Sequence, residues 1–294
     1  MKKKLLAIAT VALALVCAMG VLFGCTSDTE EADDEGSATT EEAADTEEAE
    51  EEATESEYGE GFVLVVGFDA SYPPYGFIGD DGEYTGFDLE LAAAVCEYYG
   101  WELQLEPIDW DAKDALLSSG AINCIWNGFT IEGREDQYTF SAAYMLNAQV
   151  LVVKVDSGYE SIDDLAGGVV ITQVDSAALD VLESDDYADF VESLSELSTI
   201  SDYNNAFMQL AAGQVDAVAC DLSIAEYQMA QNEGEYAILV TLSSETYGVG
   251  FSLGNTELAD LVTAALQALD DEGFVEELCE AYEDYGISYD NWLL

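Results

Sequence analysis

Residues Tyr203–Asp221 read YNNAFMQLAAGQVDAVACD, and residues Asp109–Gly128 read DWDAKDALLSSGAINCIWNG. In each, an apolar-periodic helix carrying Leu210-Ala211 or Leu116-Leu117 stops at a glycine, Gly213 or Gly120. Two positions later a strand starts, marked by Val215 and Val218 or by Ile122 and Ile125. Aligning the two glycines sets Asp221 opposite Gly128. Both strands therefore run out, at their carboxyl ends, into polar or glycine-containing segments. Open α/β sheets bind ligands in the crevice at such strand ends. Two half-repeats feeding one crevice is the architecture this predicts; two ordinary helix–strand units with no joint site is the plainer alternative.

The flanking sequence extends the same alternation. Phe62–Val66 is a short apolar run of strand type that ends at Gly67. In GFDLELAAAVCEYYG, Gly86–Gly100, the spacing puts Leu89, Ala92, Ala93 and Cys96 on one helical face, with Gly100 at the stop. A strand over Glu102–Pro107 follows, which makes a strand–helix–strand unit and a layered α/β fold. AQVLVVKVDSG, Ala148–Gly158, is a long apolar strand, and SIDDLAG after it reads as a helical turn. GGVVITQVDSAALDVL, Gly167–Leu182, gives a strand over Val169–Thr172, a loop at Asp175-Ser176, then a helix. Further on come a strand at Tyr236–Val240, another within YGVGFSL, and helices over Thr256–Asp271 and Phe274–Tyr285.

The amino terminus reads differently. Met1-Lys2-Lys3-Lys4, an apolar run over Leu5–Phe23 and Gly24-Cys25 have the order of a secretion signal. Leu22-Phe23-Gly24-Cys25 resembles a bacterial lipobox, which makes residues 1–24 the signal peptide and Cys25 the lipidated first residue of the mature chain; an uncleaved spanning anchor is the alternative. Residues 25–57 follow as a tether; from Thr26 to Glu57 there are sixteen acids and no base. Such a segment buries too little apolar surface to offset its ordering entropy.

Charge and missing residue types exclude whole classes of function. The chain has 62 acidic against 6 basic residues, a formal net charge of −56. That field repels nucleic acid and anionic headgroups. There is no histidine, which removes Ser–His and Cys–His nucleophile pairs and histidine metal sites. No cofactor or metal motif is present. Cys96, Cys124, Cys220 and Cys279 are far apart with no C-x-x-C, and read as small buried apolar residues or, given an export signal, as disulfide candidates. The remaining 58–294 suit one large domain or two lobes, and a monomer is expected.

Several residues could do chemistry at the crevice. NGFTIEGRED, Asn127–Asp136, holds Arg134, the single arginine of the chain. A guanidinium can hold a carboxylate by two charge-assisted hydrogen bonds; a surface ion pair is the alternative. Thr130 lies four residues earlier, with Asn127 and Gly128 before it. Gln173-Val-Asp-Ser176-Ala177 opens a helix, whose free N–H groups bind an anion or only the helix's own cap. Asp221 ends an apolar strand, where a buried carboxylate needs a partner; it also stands where a helix N-cap belongs. Asp69 and Tyr72 occupy the loop DASYPPYGF, and Trp110 opens the next helix; the two aromatics could flank a ligand or sit in the core.

Taken together, GFDLELAAAVCEYYG, DASYPPYGF, NGFTIEGRED, TQVDSAA and GQVDAVACD resemble the polar amino-acid substrate-binding proteins of ABC transporters, in order over residues 62–290. The loop from Thr130 to Arg134 is one residue shorter than in most of that family. The resemblance implies a two-lobed α/β type II periplasmic-binding fold, with two mixed sheets, flanking helices and a ligand cleft between lobes. Lobe one takes 58–147 and 245–294, lobe two 148–244, and the strands at Ala148 and Tyr247 make the hinge crossings. It implies that Arg134 pairs with a ligand α-carboxylate, helped by Thr130 and the backbone near Ser176 and Ala177. Asp221 and the Asn127–Gly128 carbonyls would hold the α-ammonium. Tyr72 and Trp110 would flank the side chain, and Asp69 and Gln173 would meet its polar end. The charges of Asp69, Asp221 and Arg134 suit a neutral polar or basic amino acid such as glutamine, cystine or arginine. The implied partners are an ABC permease and ATPase, and the membrane through the lipid on Cys25, at the outer face of the bacterial cytoplasmic membrane. Two other readings are a dehydratase-like enzyme on the same fold and an amino-acid-sensing lipoprotein.

Overall fold

The computed structural model describes residues 57–294. The signal segment, Cys25 and the tether through residue 56 lie outside the described residues.

The first strand, β1 (Val63–Phe68), buries Leu64, Val66 and Phe68 completely. A small three-stranded sheet follows, made of β2 (Ser71–Tyr72), β3 (Gly76–Ile78) and β4 (Tyr84–Thr85). Strands of two or three residues carry no readable period, and the sequence reads only as a loop there. Helix α1 (Phe87–Tyr99) ends at Gly100 in the left-handed conformation, φ 71°. It begins at Gly86, where a Cβ would fall 2.2 Å from the Tyr75 carbonyl oxygen, so only glycine fits. Leu89, Ala92 and Cys96 are buried as the spacing predicts, but Ala93 is exposed. The buried arc is centred nearer Asp88, Ala92 and Val95, and Ala93 lies past its edge.

Next come β5 (Glu102–Pro107), α2 (Lys113–Ser119), β6 (Cys124–Ile125) and β7 (Tyr138–Phe140). The chain then runs along β8 (Met145–Lys154) into β9 (Val169–Gln173), α3 (Ala177–Glu183), α4 (Ala188–Ser193), β10 (Glu196–Ile200), α5 (Tyr203–Ala211), β11 (Ala217–Asp221) and α6 (Leu222–Gln231). It returns along β12 (Tyr236–Tyr247) to β13 (Gly250–Ser252), α7 (Thr256–Asp271) and α8 (Phe274–Ala281). SIDDLAG forms the expected turn, a 3-10 helix over Ile162–Leu165 with a Ser161/Asp164 capping box.

Two five-stranded mixed sheets result, one per lobe. The first has the order β5-β1-β6-β13-β7, with β5, β1 and β6 parallel and β13 antiparallel. The second has the order β10-β9-β11-β8-β12, with β10, β9 and β11 parallel and β8 antiparallel to both its neighbours. The parallel trios match strand for strand, which is the physical content of the half-repeat. The expected strand at Tyr236–Val240 is longer than predicted: β12 continues to Tyr247, paired with β8 from Lys154 back to Met145. The final expected helix is shorter, because α8 stops at Ala281 and a 3-10 turn takes Glu283–Tyr285.

β8 explains why its sequence is a continuous apolar run rather than an alternation. Val150 and Val152 pack on one face with Ile171, Phe207 and Val218. Leu151 and Val153 pack on the other with Val170 and Leu182. A strand covered on both faces gains on the order of 1.5–3 kcal/mol per such side chain from burial. Cys96, Cys124, Cys220 and Cys279 are free thiols, all buried in the same packing.

Candidate functional site

Strand ends from the two sheets converge on one small cavity. Tyr72, Gly128, Thr130 and Arg134 come from the first-lobe segments, with Trp110 beside them. Gln173, Ser176, Ala177 and Asp221 come from the second sheet's side. The cavity is about 20 Å³, roughly the room one water molecule needs. The other two expected residues stand just behind its wall. Asn127 Oδ1 accepts from the Asp69 backbone N–H at 2.6 Å, and Asp69 Oδ2 accepts from Gln173 Nε2 at 2.7 Å. Burial raises the Asp69 carboxyl above its usual range, and the Ser71 N–H and Gln173 oppose that rise.

Arg134 is 7% exposed. Its loop is clipped to the end of β12: Thr130 bridges Tyr247, and the Ile131 N–H donates to the Thr246 carbonyl at 3.0 Å. The shorter loop thus still carries both Thr130 and Arg134 to the cavity. The guanidinium carbon lies 5.0 Å from the Phe129 ring centroid, a cation–π distance. Nη2 donates to Asp180 Oδ2 on α3 at 3.0 Å, so the arginine ties one lobe to the other. Arg134 is the one lysine or arginine in the wall of the small cavity among the described residues, and Lys113 stands outside it. Lys113 is 4% exposed, pairs with Asp175 Oδ2 at 3.3 Å and lies 5.4 Å from the Trp110 ring centre. Trp110 Nε1–H also reaches Asp175, donating to its carbonyl at 3.1 Å.

Ser176 caps α3 by accepting from the Leu179 N–H at 3.2 Å, and its hydroxyl lies 3.1 Å from that of Thr172. Asp221 holds the N-cap position of α6 but does not cap it with its side chain. Its Oδ1 instead accepts from Asn147 Nδ2 at 2.9 Å, Gln149 Nε2 at 2.7 Å and the Tyr247 hydroxyl at 2.9 Å. These are neutral donors, so the carboxylate is buried beside the cavity with no ion-pair partner among the described residues.

Four participants escape the sequence reading. Glu245 is buried, and its Oε1 accepts from Thr130 Oγ1 at 2.8 Å, Asn147 Nδ2 at 2.7 Å and Gln149 Nε2 at 2.8 Å. Desolvation, then the Asp221 charge, push its carboxyl up to about 7. The Thr130 hydroxyl proton is therefore committed to Glu245. Asn147 and Gln149 sit at alternate positions of an apolar strand, and that pair of polar residues on one face is the signal that could have found them. Asp88, in the first turn of α1, reads as an ordinary helix-start acid. It is fully buried, accepts from the Gly128 N–H at 2.6 Å and the Tyr144 hydroxyl at 2.8 Å, and burial lifts it to about 7.

A larger cavity of about 700 Å³ adjoins the small one at Trp110, beyond the Asp69–Gln173 hydrogen bond. Asp69, Asp109, Asp111 and Asp202 stand in its wall with Ser71 and Ser201, and no lysine or arginine does. The small cavity can thus meet a carboxylate at Arg134 and a cation at Asp221. The larger one offers room and negative charge.

This frame and cleft are those of an extracytoplasmic binding protein. The model of the bacterial extracellular solute-binding proteins, family 3, matches residues 64–284, and the chain belongs to that family. Its members are receptors for importers, not enzymes, which sets the dehydratase reading aside. The L-cystine-binding protein TcyJ of Escherichia coli (strain K12) is 30% identical over 223 residues, covering 74% of this chain and 82% of that protein. A substrate-binding protein of an ABC uptake transporter from Streptococcus pneumoniae, solved with bound histidine, superposes with a TM-score of 0.72 at 30% identity, over 77% of this chain and 94% of that one. An ancestral arginine-binding protein bound to glutamine gives a TM-score of 0.67 at 31% identity, over 75% and 97% of the two chains.

Proposed function

We propose that this protein captures a neutral polar or basic amino acid, of the glutamine, cystine or arginine class, and delivers it to an ABC permease and ATPase. One observation carries the reading: the chain's single arginine and a buried Asp221, which has no ion-pair partner among the described residues, reach one cavity from opposite lobes. Arg134 takes the α-carboxylate, with the backbone at Ser176 and Ala177, and Thr130 adds its oxygen to that wall. Asp221 and the Asn127–Gly128 backbone take the α-ammonium, and Tyr72 and Trp110 flank the ligand. The side chain points past Asp69 and Gln173 into the acidic cavity, which repels a carboxylate and suits a donor or a cation. The named ligands of TcyJ and of the ancestral arginine-binding protein fall in this class. The 20 Å³ void is too small for any amino acid, so the lobes divide near 147 and 245 and part to admit one, then close on it. The receptor works as a monomer tethered through a lipid on Cys25 at the outer face of the cytoplasmic membrane.

Isothermal titration of the purified protein with the twenty amino acids and cystine tests this. Binding of glutamine, arginine or cystine without binding of glutamate is expected. Tight glutamate binding with none of the other three would falsify the proposed class.

A further inference from the structure

We propose that capture of the ligand's ammonium group at Asp221 drives a proton off Glu245, so that ligand binding and proton release are linked. This rests on the site reading above and concerns how that site is charged when empty.

Asp221 and Glu245 are held at one point by the same two donors. Asn147 Nδ2 reaches Asp221 Oδ1 at 2.9 Å and Glu245 Oε1 at 2.7 Å. Gln149 Nε2 reaches the same oxygens at 2.7 and 2.8 Å. Two oxygens that share a donor nitrogen are no farther apart than those two bonds laid end to end. Each residue is 5% exposed, so little water screens the pair. The groups facing Glu245 are Asn147 and Gln149 from β8, Thr130 from the loop after β6, and Asp221 from β11. Tyr247, further along β12, adds a neutral phenol that donates to Asp221. Arg134 meets only the Thr130 carbonyl on this side, at 3.5 Å, and gives its ion pair to Asp180. Among the described residues no lysine or arginine forms an ion pair with either carboxylate.

Two like charges this close and this shielded are not both held without a cation, and one of them keeps a proton. The network also has an acceptor to spare: Gln149 Oε1, fully buried, meets no donor among the described residues. Glu245 is the proton's holder, since Asp221 lines the cavity and Glu245 stands behind Thr130; its carboxyl is lifted to about 7 by burial and by Asp221. An ammonium group arriving at Asp221 supplies the missing cation. The Glu245 O–H bond then breaks, its electron pair stays on the carboxylate, and the proton passes to solvent. The ligand keeps its own three ammonium protons.

The test is calorimetric. The purified protein is titrated at pH 7 with L-arginine, L-glutamine and L-cystine in two buffers of unlike ionisation enthalpy, which reports protons released per ligand bound. About half a proton is expected, because a group with its pKa near 7 is half protonated there. Affinity should tighten with rising pH, by at most about tenfold per unit below pH 7, and level off above pH 8. Glu245→Gln keeps the shape and should bind with no proton release and a flat pH profile. Binding without proton release in the unsubstituted protein overturns the inference and leaves the site reading intact, as does an unchanged pH profile in Glu245→Gln. Failure of all three amino acids to bind overturns both. If Glu245→Gln does not fold, the unsubstituted protein in the two buffers decides alone.

Discussion

The carboxyl ends of β6 and β11 occupy equivalent places in the two lobes. Each closes a parallel trio, and each follows a helix that ends near a left-handed glycine, Gly120 at φ 75° or Gly213 at φ 67°. They then part. After β11 a helix begins at once, and Asp221 itself is the charge delivered to the cleft. After β6 the chain turns at Gly128, φ 58°, into a loop that delivers Thr130 and Arg134. The Gly128 N–H leans on a carboxyl group of its own, Asp88. One frame thus supplies opposite charges: the anion directly from a strand end, the cation from a loop anchored on a buried acid. Zwitterion recognition needs both, and a symmetric pair of strand ends would give only one.

The comparison can be broken at several points. The largest effect should come from Asp88. Its folded pKa is raised from the ordinary 3.8 to about 7, so the stability it contributes is fully present below the unfolded value and is lost as pH rises from there through 7. That loss is on the order of 4 kcal/mol. Urea unfolding across pH 4–8 should show a decline that Asp88→Asn reduces, leaving the share that Glu245 contributes; an equal decline in the variant would remove Asp88's titration as a source of it. At the opposite strand end, Asp221→Asn should weaken amino-acid binding by roughly a hundredfold or more, about 3 kcal/mol, since it takes the charge from a desolvated pair. Unchanged titration curves would detach Asp221 from the ligand. Between these ends the glycines differ. A Cβ at Gly128 would meet Tyr247, Tyr72 and Tyr75 at 3.1–3.2 Å, whereas one at Gly213 meets nothing within 4 Å. Gly128→Ala should cost roughly 2–3 kcal/mol of stability and Gly213→Ala about 1 kcal/mol; equal midpoints in denaturant would contradict that contrast. The smallest expected change in binding is Arg134→Lys, which keeps the charge and loses the planar fork. It should weaken binding by about tenfold, or about 1.4 kcal/mol, and a variant that binds like its parent would return Arg134 to the status of a structural ion pair with Asp180.

What the sequence made legible follows from what each signal depends on. Helices and long strands announce themselves by local period and by glycine stops, so α1, α7 and β9 fall where spacing places them. The motif residues converge because strand ends are fixed by topology, which the repeated helix–strand units expose. β10 and the β2–β3–β4 sheet were not legible: β10 is a half-buried edge strand and the others are too short to show a period. Glu245, Asn147, Gln149 and Asp88 were missed for another reason. Their role comes from partners 40 to 115 positions away along the chain, and no local pattern records that a carboxylate will be buried among neutral donors.

The four buried thiols carry a consequence for how the protein survives outside the reducing cytoplasm. Cys96, Cys124, Cys220 and Cys279 are apolar filling, each unpaired, and burial raises every one of them so that little thiolate forms. Residues 57–294 are therefore held together without a covalent crosslink. Reductant is thus expected to leave the melting temperature of this part unchanged.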